Sequence, residues 1–288
     1  MASPLPENIQ QRPVAVIGGG TLGRRIAAVF IAGGSNVKLF ARRPEQREEA
    51  RRFVDKTTPI LEQQLKAKDI HANRGQLETP GSIEAAVPGA WLVVESISEQ
   101  LEAKCELFGQ LDHIADRDAL LATNSSSYPS RRMMGQVQHR ERALNMHFFI
   151  PPELMPVELM SNGDTRDGLL EALAEILPRY GLLPFIAQRE STGFIVNRIW
   201  AAIKREALAV VGEGVSTPED VDGITRAMLG FAPFRLMDRV GLDVVLDIEK
   251  HYADENPHLP DTPRKLLVQY LEAGKLGQKS GEGFYKYE

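Results

Sequence analysis

The stretch Val14-Ala15-Val16-Ile17-Gly18-Gly19-Gly20-Thr21-Leu22-Gly23 decides the fold of this chain. Its β-branched apolar run predicts a buried strand, and the glycines predict a tight turn into the helix that follows. The glycines satisfy G-x-G-x-x-G, in which they allow the turn, the close approach of a pyrophosphate and the packing of helix on strand. The helix N-terminus offers free N–H groups to the same phosphates. We therefore expect a dinucleotide site, with a structural glycine turn as the alternative, at Gly18, Gly20, Thr21, Leu22 and Gly23.

The next strand, Val37-Lys38-Leu39-Phe40, leads into Ala41-Arg42-Arg43. About 20 residues beyond the glycine loop, NAD-binding folds usually carry an acidic residue that binds the adenosine ribose, whereas guanidinium groups suit a 2′-phosphate. The acidic residue is missing here and two arginines are present. We expect NADP(H) in preference to NAD(H), with Arg42 and Arg43 at the phosphate. The alternative is that both arginines only solvate a loop.

Strand and helix patterns alternate over the first two thirds of the chain. We predict further strands over residues 91–96, 119–123, 143–146, 157–160 and 182–187, and helices over residues 44–68, 83–87, 101–114 and 169–180. This alternation predicts an α/β fold, a Rossmann-type doubly wound sheet with helices on both faces. Ligands of such sheets lie beyond the C-terminal ends of the strands, where residues 95–99 and 124–127 fall.

Beyond about residue 192 the pattern is helical only. We predict helices over residues 194–211, 235–252 and 263–271, and one N-capped by Thr217 with Pro218 in its first turn. The chain therefore divides into a dinucleotide-binding domain, residues 1–190, and an all-helical domain, residues 191–288. The helical domain would bind substrate and form a homodimer, since Trp200 and residues 231–234 are more apolar than a lone small bundle needs. Ordinary core packing is the alternative for these residues.

Composition excludes several classes of protein. The chain has 288 residues, 43% of them hydrophobic, and a formal net charge of −5, which argues against a nucleic-acid surface or a basic membrane-binding face. The single cysteine excludes an intrachain disulfide and a cysteine-based zinc site, and we predict no metal. Residues 1–13 lack the pattern of a targeting segment, and no run of about 18 apolar residues predicts a membrane span. We expect a cytoplasmic protein.

One histidine of the six stands out. His147 follows an apolar strand at the carboxyl edge of the predicted sheet, and Glu158 lies on the next strand. A neutral imidazole held by a carboxylate is what proton transfer to or from an alcohol requires near pH 7. The spacing alone leaves a catalytic pair and a structural histidine equally open.

Five motifs taken in order resemble the short-chain L-3-hydroxyacyl-CoA dehydrogenase family, which includes λ-crystallin-type gulonate dehydrogenases. They are the glycine loop, Val93-Val94-Glu95-Ser96-Ile97-Ser98-Glu99, Thr123-Asn124-Ser125-Ser126-Ser127, His147-Phe148-Phe149 and Thr192-Gly193-Phe194-Ile195-Val196-Asn197-Arg198. The ending Gly277-Gln278-Lys279-Ser280-Gly281-Glu282-Gly283-Phe284-Tyr285 is similar too. The resemblance covers nearly the whole chain.

The resemblance implies roles for individual residues. His147 matches the general base that takes the hydroxyl proton, and Glu158 matches its carboxylate partner. Ser126 matches the serine that hydrogen-bonds the substrate oxygen, and Asn197 matches the asparagine that completes the site. Residues that match positions near the bound cofactor are Glu99, Lys104 and Asn124.

Two departures from the family pattern bear on function. Ile150 stands where the family usually has an asparagine, and Ala41-Arg42-Arg43 replaces an acidic strand end. The loop between His147 and Glu158 is also one residue shorter than usual. We expect a dehydrogenase that interconverts a 3-hydroxyacyl group, as a coenzyme A thioester, with its 3-oxo form. The alternatives are a dehydrogenase of a free, gulonate-like hydroxy acid and a non-catalytic cofactor-binding protein of the crystallin or sensor type.

Overall fold

The computed structural model describes residues 4–287, which fall into two compact units that meet in sequence between Ile195 and Val196. This division comes a few residues after the boundary predicted at residue 190. The first three residues of the segment 1–13 and the last residue of the predicted helical domain lie outside the described residues.

The first unit is built on one eight-stranded sheet with the order β3-β2-β1-β4-β5-β6-β7-β8. All neighbouring strands are parallel except β6 and β7, which are antiparallel. The strands are β1 Val14–Ile17, β2 Val37–Phe40, β3 Leu77–Glu78, β4 Leu92–Glu95, β5 Leu120–Thr123, β6 Ala143–Phe148, β7 Pro156–Ser161 and β8 Leu183–Ala187. The predicted doubly wound sheet is confirmed, although the short edge strand β3 was not predicted.

The central strand β1 is buried over its whole length, as its apolar run predicts. Val14 and Val16 pack in one hydrophobic core, whereas Ala15 and Ile17 pack in another. Because side chains alternate between the faces of a strand, these two cores lie on opposite sides of the sheet. Helices of the first unit cover them: α1 Thr21–Ala32, α2 Pro44–Ala67, α3 Ile83–Ala86, α4 Leu101–Ile114 and α5 Leu169–Ile176.

The helix predicted over residues 169–180 is shorter than expected. The α-helix ends at Ile176, and a 3-10 turn over Leu177–Tyr180 continues it. Pro178 explains the change, because proline has no backbone N–H for the next i to i−4 hydrogen bond.

The second unit is helical, with α6 Val196–Gly212, α7 Pro218–Leu229, α8 Pro233–Val240, α9 Leu242–Glu255 and α10 Thr262–Glu272. The predicted cap of α7 is present, since the Thr217 side chain accepts a hydrogen bond from the Asp220 N–H. The single helix predicted over residues 235–252 is wrong. Gly241 separates α8 from α9 with a φ of 106°, a left-handed region that interrupts a right-handed helix.

Phe234 is fully buried in the core of the second unit. It is therefore not available to a dimer surface, for which the sequence had suggested it.

Two buried aspartates hold this unit together. Asp222 accepts hydrogen bonds from the backbone N–H groups of Phe234 and Arg235, and Asp238 accepts them from Phe284 and Tyr285.

Within residues 4–287, no helix is long and apolar enough to cross a membrane.

Candidate active site

The glycine loop between β1 and α1 shows why side chains are absent there. A Cβ at Gly18, whose φ is 123°, would collide with the carbonyl oxygen of Ser96, and one at Gly23 would collide with the carbonyl oxygen of Gly18. A Cβ at Gly20 would meet nothing within 4 Å and would project into open space. Gly18 and Gly23 thus serve the fold, whereas Gly20 leaves room beside the loop.

The N-terminus of α1 faces that open space. Gly20 is its N-cap and supplies no side chain, and the first turn, which begins with Thr21 and Leu22, contains no acidic residue. The free N–H groups of such a turn and the helix dipole attract a phosphate. The loop therefore fits the pyrophosphate of a dinucleotide, because there is open space at Gly20 and the first turn of α1 has free backbone N–H donors.

Arg42 and Arg43 lie just beyond the end of β2 and are both exposed. Within residues 4–287, neither guanidinium group takes part in a hydrogen bond or an ion pair. Arg47 is instead tied back to the strand end, because its Nη1 donates to the carbonyl oxygen of Ala41 at 2.8 Å. The two guanidinium groups therefore remain available to an anion at this strand end.

His147 and Glu158 lie directly opposite each other on β6 and β7. The Nδ1 of His147 is 2.9 Å from Oε2 of Glu158, and the two residues are 6% and 1% exposed. A carboxylate only accepts hydrogen bonds, so in the neutral imidazole Nδ1 carries the proton and Nε2 keeps its lone pair. Nε2 is thus the atom that can take a proton from a ligand.

Further contacts fix both members of this pair. The Oε1 of Glu158 accepts a hydrogen bond from the backbone N–H of Ile195 at 3.0 Å. Phe194 stacks on the imidazole of His147 with ring centroids 5.2 Å apart, and Phe149 lies at 4.8 Å on a tilted plane. The imidazole is therefore held by a carboxylate at one nitrogen and by aromatic rings around it.

Lys104 is almost completely buried and lies between two carboxylates. Its Nζ donates to Oε1 of Glu95 at 2.6 Å and is 3.2 Å from Oε2 of Glu99. Glu95 also accepts a 2.6 Å hydrogen bond from the Thr123 hydroxyl. Lys104 thus positions the exposed Glu99, which lies four residues beyond the end of β4, and the charge of Lys104 is directed at the two carboxylates.

The loop after β5 is tied to the same carboxylates. The Ser125 hydroxyl donates to Oε1 of Glu99, and the Ser127 N–H donates to the same oxygen. Asn124 accepts a 2.8 Å hydrogen bond from the Phe148 N–H through its Oδ1, which links the ends of β5 and β6. Ser126 lies between these anchored residues with an exposed side chain.

Asn197 belongs to the second unit and lies in the first turn of α6. The structure therefore brings His147 to Glu158, and Glu99 to Lys104, within the first unit. The sequence motifs include Phe194 and the buried Glu95, but sequence reasoning assigned neither residue a role. A charged residue that ends the apolar run of β4 was the available signal for Glu95, whereas nothing local marks Phe194 as a neighbour of His147.

Comparison with known proteins covers both units. Residues 13–190 match the family description "3-hydroxyacyl-CoA dehydrogenase, NAD binding domain", and residues 193–287 match "3-hydroxyacyl-CoA dehydrogenase, C-terminal domain". The human mitochondrial hydroxyacyl-coenzyme A dehydrogenase is 33% identical over 303 residues, which cover 100% of this chain and 95% of the human protein.

Two further relatives differ in what their names describe. A solved structure of 3-hydroxybutyryl-CoA dehydrogenase from Escherichia coli K12 has a TM-score of 0.83 and 31% identity, with coverage of 96% of this chain and 59% of that chain. The 5-formyl-3-hydroxy-2-methylpyridine 4-carboxylate 5-dehydrogenase of Mesorhizobium japonicum is 29% identical over 282 residues, 96% of this chain and 91% of that protein. Similar chains are therefore named both for coenzyme A thioesters and for a free acid.

Proposed function

Because the chain belongs to the 3-hydroxyacyl-CoA dehydrogenase family, we propose that it interconverts a 3-hydroxyacyl thioester of coenzyme A with the 3-oxo form, using NADP(H). Membership makes it an oxidoreductase that acts on a CH–OH group with a nicotinamide cofactor. The proposal goes beyond family membership in three respects. These are the preference for NADP(H), the coenzyme A thioester as substrate, and the roles of individual residues.

The arrangement of His147 and Glu158 is the observation that carries the proposal. Nε2 of His147 takes the proton of the substrate hydroxyl in oxidation and returns a proton in reduction. Glu158 holds the other ring nitrogen at 2.9 Å, fixes the tautomer and stabilises the imidazolium that forms. The nicotinamide cofactor, when bound, supplies the acceptor or donor of hydride. Burial of the imidazole keeps bulk water from exchanging with the proton in transit.

The remaining predicted residues bind and orient the substrate and the cofactor. Ser126 hydrogen-bonds the substrate oxygen, and Asn197 completes the substrate site. Glu99, held by Lys104 and Ser125, receives the nicotinamide ribose, and Asn124 supports the same end of the cofactor. We assign the 2′-phosphate of NADP(H) to Arg42 and Arg43, because both guanidinium groups are exposed and no acidic residue ends β2.

The test is turnover of acetoacetyl-CoA by the purified chain with NADPH and, separately, with NADH. The proposal expects turnover with a higher kcat/KM for NADPH. Oxidation of free hydroxy acids, without turnover of any coenzyme A thioester, would favour the second candidate, which the name of the Mesorhizobium relative supports. Cofactor binding without any turnover would instead favour the non-catalytic alternative.

We also propose that the second unit forms a homodimer. Several apolar side chains on α7 and in the segment that precedes it are more than half exposed, namely Val215, Ile224, Met228 and Leu229. Sedimentation that shows only monomer at micromolar concentration would contradict the dimer. The cytoplasmic location stays a prediction, and some relatives are named as mitochondrial proteins.

A further inference from the structure

The second unit contains a buried charged cluster that the proposed reaction does not use. Lys204 and Arg205 lie on α6, and Glu249 faces them from α9. Lys204 is 2% exposed and Glu249 is 0% exposed. Charged groups are rarely buried to this extent unless each has a partner.

The polar groups of this cluster are incompletely paired. Arg205 Nε donates to Oε2 of Glu249 at 3.0 Å. The other carboxylate oxygen of Glu249 and Nη2 of Arg205 are buried and have no hydrogen-bond partner among residues 4–287. In the same residues, the Lys204 ammonium makes no hydrogen bond or ion pair, and its one cation–π contact is with Trp200, whose ring centroid is 6.0 Å from Nζ. Two cationic groups therefore have donors to spare.

The charges of the cluster do not balance. Lys204 and Arg205 are cations, and Glu249 is the single carboxylate that acts on the Lys204 ammonium within residues 4–287. Tyr252 also packs against Arg205, but burial raises the pKa of its hydroxyl, so it adds no charge at neutral pH. Arg198 and Glu255 also act on Tyr252, and their opposite charges cancel in this count. One positive charge is thus left over in a region from which water is largely removed. One bound carboxylate would neutralise this positive charge and would accept hydrogen bonds from the unpaired N–H groups of Lys204 and Arg205.

The cluster lies on the same helix as a proposed substrate residue. Asn197 and Lys204 are seven residues apart on α6, which is two helical turns, so they share a face about 10 Å apart along the axis. A substrate whose reacting end lies at Asn197 and whose chain follows this face would bring its far end to Lys204.

We propose that Lys204, assisted by Arg205, binds a carboxylate at the far end of the acyl group, which makes the substrate a 3-hydroxyacyl group that ends in a carboxylate. This inference rests on the proposed function, because the role of Asn197 belongs to it. Lys204 is then a specificity-determining residue and takes no part in proton or hydride transfer.

The pH dependence of binding separates this role from a structural one. Desolvation by burial lowers the pKa of Lys204 to about 8, against an opposing effect of Glu249 and a smaller lowering by Arg205. Above that pH the free protein loses the ammonium charge. Affinity for a carboxylate should therefore fall as the pH rises through about 8, whereas affinity for a neutral analogue should not.

The first experiment measures binding alone, with NADPH-saturated protein and with hexanoate and hexanamide as probes. The wild-type protein should bind hexanoate more tightly than hexanamide at pH 7, by about 10-fold or more, as a charge-assisted hydrogen bond provides. Lys204→Met, and Lys204→Gln as a second variant, should abolish the difference. The exposed Lys250→Met is the matched control and should keep it. Equal binding of both probes by the wild-type protein, or an unchanged difference in both Lys204 variants, would overturn the proposal.

The second experiment measures turnover of two coenzyme A thioesters, 3-oxoadipoyl-CoA, which ends in a carboxylate, and 3-oxohexanoyl-CoA, which ends in a methyl group. Lys204→Met should lower the ratio of kcat/KM for the first over the second by about 10–100-fold, through KM. An unchanged ratio would overturn the inference while the proposed function stands. If the wild-type protein turns over neither thioester, the proposed function fails, and the binding experiment still decides the role of Lys204.

Discussion

His147 and Glu158 pair directly across two antiparallel strands, with Nδ1 of the imidazole 2.9 Å from a carboxylate oxygen. Residues that face each other in this way are close enough for their side chains to meet without a bend in either strand. The sequence resemblance predicts a loop one residue shorter than the family pattern, and the contact is made in this structure. The strand pairing, more than the length of the loop, therefore sets the geometry of the pair.

Glu158→Gln should lower kcat by about 10²–10⁴-fold, because an amide can donate to Nδ1 and so favours the wrong tautomer of His147. The measurement is steady-state turnover, with circular dichroism to verify folding. Glu171→Gln, which changes an exposed carboxylate on α5, is the control and should keep full activity. A folded Glu158→Gln protein with unchanged kcat would show that the carboxylate does not orient the base.

Arg42→Ala should raise the KM for NADPH by about 10–100-fold and leave the KM for NADH within about 2-fold, since a guanidinium bound to phosphate contributes about 1.5–3 kcal/mol. Arg43→Ala should act in the same direction. The exposed Arg52→Ala on α2 is the control for a general loss of positive charge. Equal changes with both cofactors, or none, would mean that the arginines only solvate the strand end.

Gly20→Ala should fold normally and lose cofactor affinity, because its methyl group meets no protein atom within 4 Å and would occupy the space beside the loop. Gly23→Ala should lower the thermal stability itself, since its Cβ would collide with the carbonyl oxygen of Gly18. Thermal unfolding with and without NADPH checks both effects. A Gly20→Ala protein that NADPH stabilises as well as it stabilises the wild type would contradict the placement of the pyrophosphate.

Lys204→Met should stabilise the protein at pH 7, by up to about 3 kcal/mol of unfolding free energy. The pKa of Lys204 is lowered from 10.5 to about 8 by burial, so between those values the unfolded chain binds more protons than the folded one. Wild-type stability therefore rises with pH across this window, and the advantage of the variant shrinks to nothing above it. Chemical denaturation of both proteins at pH 7, 9 and 10.5 measures the difference. A variant that is less stable at pH 7, or an advantage independent of pH, would contradict the cost of this buried charge.

Much of the first unit could be predicted from local patterns. The apolar run of β1 and the glycines after it are enough to place a strand, a turn and a helix, and the alternation that follows predicts the parallel sheet. The family, predicted from motifs that occur in order along the chain, was likewise confirmed by the family descriptions that match residues 13–190 and 193–287. Gly241 shows the limit, because a helical pattern continues through it while its left-handed backbone ends α8.

The details of the site depend on contacts that sequence spacing does not determine. Lys104 matched a position near the cofactor, but only the fold shows that its ammonium is directed at Glu95 and Glu99. No local pattern marks Lys204 as buried, because its burial against Glu249 follows from the packing of α6 and α9. In both cases the environment of the lysine depends on residues that the fold, and not the local sequence, brings next to it.

The most direct test of the central claim compares His147→Gln with the wild-type protein in the NADPH-dependent reduction of acetoacetyl-CoA, together with the Kd for NADPH. If Nε2 of His147 transfers the proton, kcat should fall by about 10²–10⁴-fold while the Kd for NADPH stays within about 2-fold. A variant that reduces acetoacetyl-CoA at the wild-type rate would contradict the account.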